Sequence, residues 1–79
     1  MRGDDKQMAN VRSKQEMGEI VFARRKALGL TRVDMNAKLG YSYHGGMIKK
    51  IENGEQYIPL DRLRDYAEIL QVPVETLVP

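Results

Sequence analysis

The groups in this chain that could do covalent chemistry are few. There is one histidine, His44, no cysteine, and two serines, Ser13 and Ser42. They do not make a set of nucleophile, base and orienting group. One imidazole and scattered carboxylates fall short of a metal site. Asp4 and Asp5 are adjacent, but nothing near them in sequence completes an acid–base pair. Gly45-Gly46 follows no strand and lacks the lysine–serine pair of a phosphate-binding loop. Catalytic residues, a metal and a cofactor are therefore not expected. The chemistry that remains is recognition. Ile48 and Ile51 sit at a helical i, i+3 spacing, which puts Lys49, Lys50 and Asn53 on the opposite side. A lysine there reaches guanine O6 or N7. Lys49 and Arg32 are suited to neutralising phosphates. Tyr43 and Met47 could touch a thymine methyl. His44 falls four residues before Ile48, a spacing that closes the turn over the core as readily as it presents an imidazole to a ligand.

These residues need elements to hold them. Leu30 to Gly54 reads as two short helices joined by a glycine-containing turn, an arrangement that leaves the second helix protruding. Thr31 is the expected N-cap of a helix over Arg32–Leu39, with Asp34 three residues on as a shortened capping box. Gly40 is its expected left-handed stop. The next helix ends at Asn53-Gly54, and its start has two readings. Either Ser42 caps it and Tyr43 to Gly46 form the first turn, or it begins near Gly46. The second avoids two interior glycines at about 1 kcal/mol each.

Upstream, a helix is expected over Gln15–Leu28, with Met17, Val21 and Leu28 on one face. Arg24 and Arg25 project beside that seam and need carboxylate or carbonyl partners there. Downstream, Leu63, Tyr66, Ala67 and Leu70 repeat within a helix over Leu60–Leu70, opened by Pro59. A short fifth helix follows over Val74–Val78. Phe22 lies off its stripe, open to the tail or to a partner chain, and Ile69 lies off its own, open to a second subunit. No segment reads as a strand, so the fold class is all-α.

Residues 1–14 form a polar tail without sustained periodicity, expected to be flexible, and residues 15–79 form the helical domain. A chain of 79 residues makes one domain. A domain this size buries only about 60% of its unfolded surface, which favours stabilisation by dimerisation or ligand binding. With 30% charged residues and a net charge of +2, the protein is mildly basic. That balance is too small to argue for a polyanionic partner by itself. No apolar run approaches the roughly 18 residues of a membrane span, and the N-terminus lacks the apolar stretch of a signal peptide. A cytoplasmic protein without membrane contact is expected.

The stretch ARRKALGLTRVDMNAKLGYS…MIKKIENG…IPLDRLRDYAEILQVPVETL resembles the Cro/CI (Xre-type) helix-turn-helix family, with its lambda-repressor-like fold. The resemblance covers about Met17 to Leu77. Its pieces are Arg25, Gly29-Leu30-Thr31, Leu39-Gly40, Ile48 with Ile51-Glu52-Asn53-Gly54, and Pro59 before a leucine-rich helix. It implies five short helices, a homodimer, and recognition of an inverted-repeat operator on double-stranded DNA by the third helix. It also implies a structural ion pair between Arg25 and Glu52. The DNA-binding residues it implies, together with those read above, are Arg32, Ser42, Tyr43, His44, Gly45, Gly46, Met47, Lys49, Lys50 and Asn53.

Several positions depart from the family pattern. Arg32 stands where a phosphate-contacting glutamine is usual, and Asn36 where alanine lets two helices approach. The interval from Gly40 to Glu52 is longer than usual. Counted back from Glu52, the base-reading positions fall on Gly45, Gly46 and Lys50, which leaves Tyr43, His44 and Met47 to substitute for the glycines. Glu55, Gln56 and Tyr57 occupy places where relatives carry cations. The expectation is a small DNA-binding transcriptional regulator, in the first place a repressor. The alternative is an antitoxin-type module that neutralises a partner protein and autoregulates its operon. A toxin or an anti-repressor is the kind of protein partner expected. A third reading makes these residues the DNA-binding head of a longer chain.

Overall fold

The computed structural model describes residues 12–41 and 46–79. Ser13 opens the first helix, α1 (Lys14–Ala27), through a complete capping box with Glu16. The Glu16 N–H donates to Ser13 Oγ at 3.0 Å, and the Ser13 N–H donates to Glu16 Oε1 at 2.8 Å. Two backbone donors that a helix start leaves without partners are thus satisfied. α1 begins one residue before the expected Gln15, and Leu28 is its cap, not its last turn. The expected tail lies outside the described residues as far as position 11. Its last residues, Arg12 to Lys14, belong to the body: the Tyr57 hydroxyl donates to the Arg12 carbonyl at 2.8 Å.

α2 (Arg32–Leu39) has Thr31 as N-cap, and its capping box with Asp34 is complete. Gly40 ends it with φ +76°, a conformation that a side chain disfavours. α3 (Met47–Glu52) is a six-residue helix with Gly46 as N-cap. Of the two starts read from sequence, the structure adopts the one at Gly46. A 3-10 turn over Leu60–Arg62 leads into α4 (Leu63–Leu70), and a second 3-10 turn covers Val74–Leu77.

Two expectations are corrected here. There are four α-helices among the described residues, not five. The segment expected as a fifth helix is a 3-10 turn, closed by Thr76 N–H to Pro73 C=O at 2.9 Å. It buries Leu77, and the chain is extended again at Val78, so no i→i+4 ladder starts. The helix expected over Leu60–Leu70 begins as a 3-10 turn, with Arg62 N–H bonded to Pro59 C=O. The Arg62 backbone, at φ −112°, separates that turn from α4.

The core forms where the apolar faces meet. Met17 and Val21 of α1, Met35 and Leu39 of α2, Ile48 and Ile51 of α3, Ile58, and Tyr66, Ala67 and Leu70 of α4 are buried, and Leu77 closes one end. Each large side chain of this kind contributes roughly 1.5–3 kcal/mol on burial. α1 packs against α3 and α4, and α2 against α3 and α4. Asn36 is buried within the α2 face. Ile69, expected to be open to a partner, is half-buried and packs on the core. Phe22 is exposed, with the Arg25 guanidinium 5.4 Å and the Lys26 ammonium 5.9 Å from its ring centre. No described helix is long and apolar enough to cross a membrane.

Candidate nucleic-acid interface

α3 is amphipathic on a small scale. Ile48 and Ile51 are buried, while Lys49, Lys50 and Asn53 are exposed. Gly46 is exposed at its start, and the Gly46 carbonyl accepts from the Lys50 N–H at 3.0 Å. Met47 is half-buried against the core and accepts a hydrogen bond from Gln56 Nε2. Ser42, Tyr43, His44 and Gly45 lie outside the described residues.

A helix of six residues has little stability of its own. Its position is set by neighbours. Gly18, in the middle of α1, is where α3 comes closest. A methyl group at that position would meet the Ile51 carbonyl oxygen and lie 2.8 Å from the Glu52 carbonyl oxygen. Only glycine admits the α3 backbone this near.

Glu52, the last residue of α3, is gripped from two sides. Arg25 donates through Nε to Oε2 at 2.6 Å and through Nη2 to Oε1 at 3.1 Å. Its Nη1 donates to the Leu30 carbonyl at 2.9 Å. Arg32, the first residue of α2, donates through Nε to Glu52 Oε1 at 3.0 Å. The side chains of Arg25 and Glu52 are 8% and 2% exposed, against 42% for Arg32. Two cations thus share one carboxylate, and the charge left over faces solvent on Arg32. Arg24, the other cation beside the α1 seam, donates through Nε to the Leu70 carbonyl at 3.1 Å.

The two ends of α2 are fixed by different means. At the N-terminus, hydrogen bonds from the Thr31 N–H, then the Thr31 hydroxyl, hold the Asp34 carboxyl below its ordinary pKa. At the C-terminus, Arg62 donates through Nη2 to the Leu39 carbonyl and through Nε to Asp65 at 2.9 Å. Its guanidinium lies 5.0 Å from the Tyr41 ring centre. The hydroxyls of Tyr41 and Tyr66 share a hydrogen bond at 3.0 Å. Burial, with this bond second, pushes the Tyr66 hydroxyl well above its usual range. Tyr41, which follows the Gly40 cap, is therefore anchored on α4.

Of the residues singled out from sequence, Arg32, Gly46, Lys49, Lys50 and Asn53 carry exposed surface on α3 and the start of α2, and Arg25 and Glu52 are joined beneath them. Three contributors were not foreseen: Gly18, the Arg32–Glu52 contact, and Arg62 on the Leu39 carbonyl. A glycine inside an otherwise helical pattern is a signal of close packing, and Gly18 carries that signal. The other two join residues 20 and 23 positions apart, and no local pattern marks them. An open concavity of about 400 Å³ lies beside the Arg25 and Arg32 side chains, lined also by Lys26, Thr31 and Val33. The arrangement suits neutralisation of phosphates and hydrogen bonding to base edges.

Comparison with known proteins agrees with this geometry. Residues 21–77 match a family described as Helix-turn-helix. No curated protein matches the chain, and neither does any solved structure. The match takes in the capped α2, α3 with its exposed lysines, and the Arg25–Glu52 pair that joins α3 to α1. The chain belongs to the Cro/CI-type helix-turn-helix family of DNA-binding transcription regulators.

Proposed function

We propose that this protein is a transcriptional repressor that binds an inverted-repeat operator as a homodimer, with α3 in the major groove of double-stranded DNA. The observation that carries this reading is the outward face of α3. Lys49, Lys50 and Asn53 are exposed there while Ile48 and Ile51 fix the opposite side in the core. Lys50 reads a base edge, with guanine O6 or N7 as its natural acceptor. Lys49 and Arg32 neutralise phosphates and set the register without reading sequence. Asn53 adds an amide at the end of the helix. Tyr43, His44 and Met47 take over base reading from Gly45 and Gly46, which have no side chain to offer. The protein acts in the cytoplasm.

Dimerisation is supported by apolar surface near the C-terminal elements. Leu60 and Val78 are 74% and 43% exposed. A two-fold dimer would set its two recognition helices on half-sites about one helical turn, or 10 bp, apart. The test is selection of bound duplexes from a random pool, followed by the salt dependence of binding to the winner. The expected winner is an inverted repeat whose affinity falls steeply with salt. Recovery of sequences without a shared pattern would remove sequence-specific repression. Light scattering that finds a monomer both free and on DNA would remove the dimer.

A further inference from the structure

We infer that Glu52 is a positioning residue for DNA binding, which aims the Arg32 guanidinium at the phosphate backbone from the end of α3. The inference rests on the proposed function and adds a part to it. Glu52 Oε1 accepts from Arg32 Nε at 3.0 Å, which pins the guanidinium on one edge. Among the described residues Arg32 donates through Nε alone, and its side chain is 42% exposed. A guanidinium held by Nε presents its remaining N–H groups as a fixed fork, the geometry that matches a phosphate.

The charge is arranged for the same purpose. A lone Glu52–Arg32 pair would be neutral, and the carboxylate would repel a phosphate brought near it. Arg25 removes that difficulty. It holds both carboxylate oxygens, at 2.6 and 3.1 Å, so two cations face one anion. The surplus positive charge sits on the exposed member, Arg32. One carboxylate at the C-terminal end of α3 thus fixes a cation at the N-terminal end of α2. The base-reading helix and the backbone contact are then set by the same group.

Lysine separates aim from charge. In Arg32→Lys the cation remains, but a single ammonium has no second edge with which to bind Glu52 and a phosphate in fixed geometry. We expect it to settle on Glu52. Arg32→Lys should then bind DNA almost as weakly as Arg32→Gln, about tenfold below the parent for one lost charge-assisted contact. Its salt slope should fall by about one unit per half-site. The melting temperatures of both variants should stay near the parent's, because Arg25 still pairs with Glu52. The probe is a random-sequence 20-bp duplex at low salt (a length of about two turns), since phosphate contacts are independent of sequence. An Arg32→Lys protein with the parent's affinity and slope would overturn the inference and leave the proposed function standing. A parent that fails to bind the duplex would overturn both. Glu52→Gln gives a second reading where it folds. Weakened DNA binding restricted to molecules carrying Arg32, and no further loss in the Glu52→Gln, Arg32→Gln double variant, is the expected coupling. Equal losses that add in the double variant would also overturn it.

Discussion

Arg25 holds Glu52 side-on, with Nε 2.6 Å from one carboxylate oxygen and Nη2 3.1 Å from the other. Both side chains are almost fully removed from solvent. The pair ties α1 to the end of α3 across 27 positions of sequence. Breaking a buried pair costs roughly 3–5 kcal/mol, because the surviving charge keeps its desolvation penalty. In Glu52→Ala, Arg25 would keep its hydrogen bond to the Leu30 carbonyl but lose the carboxylate that neutralises it. A small domain has only about 5–15 kcal/mol in total, so this variant should be close to unfolding. Urea denaturation measures it. A Glu52→Ala protein as stable as the parent would show that the pair contributes nothing net.

Gly18→Ala should be nearly as informative, for a steric reason. The added methyl would collide with the carbonyl oxygens of Ile51 and Glu52, which are backbone and cannot rotate away. α1 and α3 must separate for it to fit. Overpacking of this kind costs about 1–3 kcal/mol. Alanine also favours helix over glycine by up to about 1 kcal/mol, so the steric term decides the sign. The expected result is a lower denaturation midpoint together with weaker DNA binding, as α3 shifts outward. A more stable Gly18→Ala would mean that the two helices do not approach this closely.

Much of this fold was legible from local signals. Thr31 with Asp34, Gly40, and the i, i+3 pair Ile48–Ile51 fix α2 and α3 because caps and amphipathic faces act within a turn or two. Arg24 and Arg25 declared a need for acceptors, and the structure supplies Leu70, Leu30 and Glu52. The misread parts depend on contacts distant in sequence. The 3-10 geometry at Val74–Leu77 follows from burying Leu77 within a few residues of Pro73. Hydrophobic spacing alone does not separate a 3-10 turn from the first turn of an α-helix. Arg32 reads from sequence as a phosphate contact at a helix start, and its contact with Glu52 arises only once α2 and α3 come together.

Stability should carry the signature of the Thr31–Asp34 cap in acid. The Thr31 N–H and hydroxyl both hold the charged form of Asp34, so its native pKa lies below the ordinary value of 3.8. A lowered native pKa means that the unfolded chain takes up this proton first. The contribution is therefore fully present above the unfolded value and is lost as pH falls through the native one. Asp34→Asn should melt below the parent at neutral pH, and the gap should close in the acid range below 3.8. Thermal melts of both proteins at a series of pH values give the comparison. A gap independent of pH would detach the cap from the charge of Asp34.

Lys49 and Lys50 are neighbours on one exposed face, yet the proposed complex gives them different tasks. In that proposal Lys50 takes a base-reading position and Lys49 a place along the phosphate backbone. Lys50→Ala should therefore relax preference at one operator position per half-site, worth about 1–3 kcal/mol of discrimination. Affinity for unrelated sequences should change less. Lys49→Ala should weaken every sequence by a similar factor and flatten the salt slope by about one unit per half-site. Both variants can be measured against a panel of single-base changes in the selected operator, at two salt concentrations. A uniform loss for Lys50→Ala would make that lysine a phosphate contact. Sequence reading would then pass to Tyr43, His44 and Met47, and alanine at each of these would have to relax a specific operator position where Lys50→Ala did not.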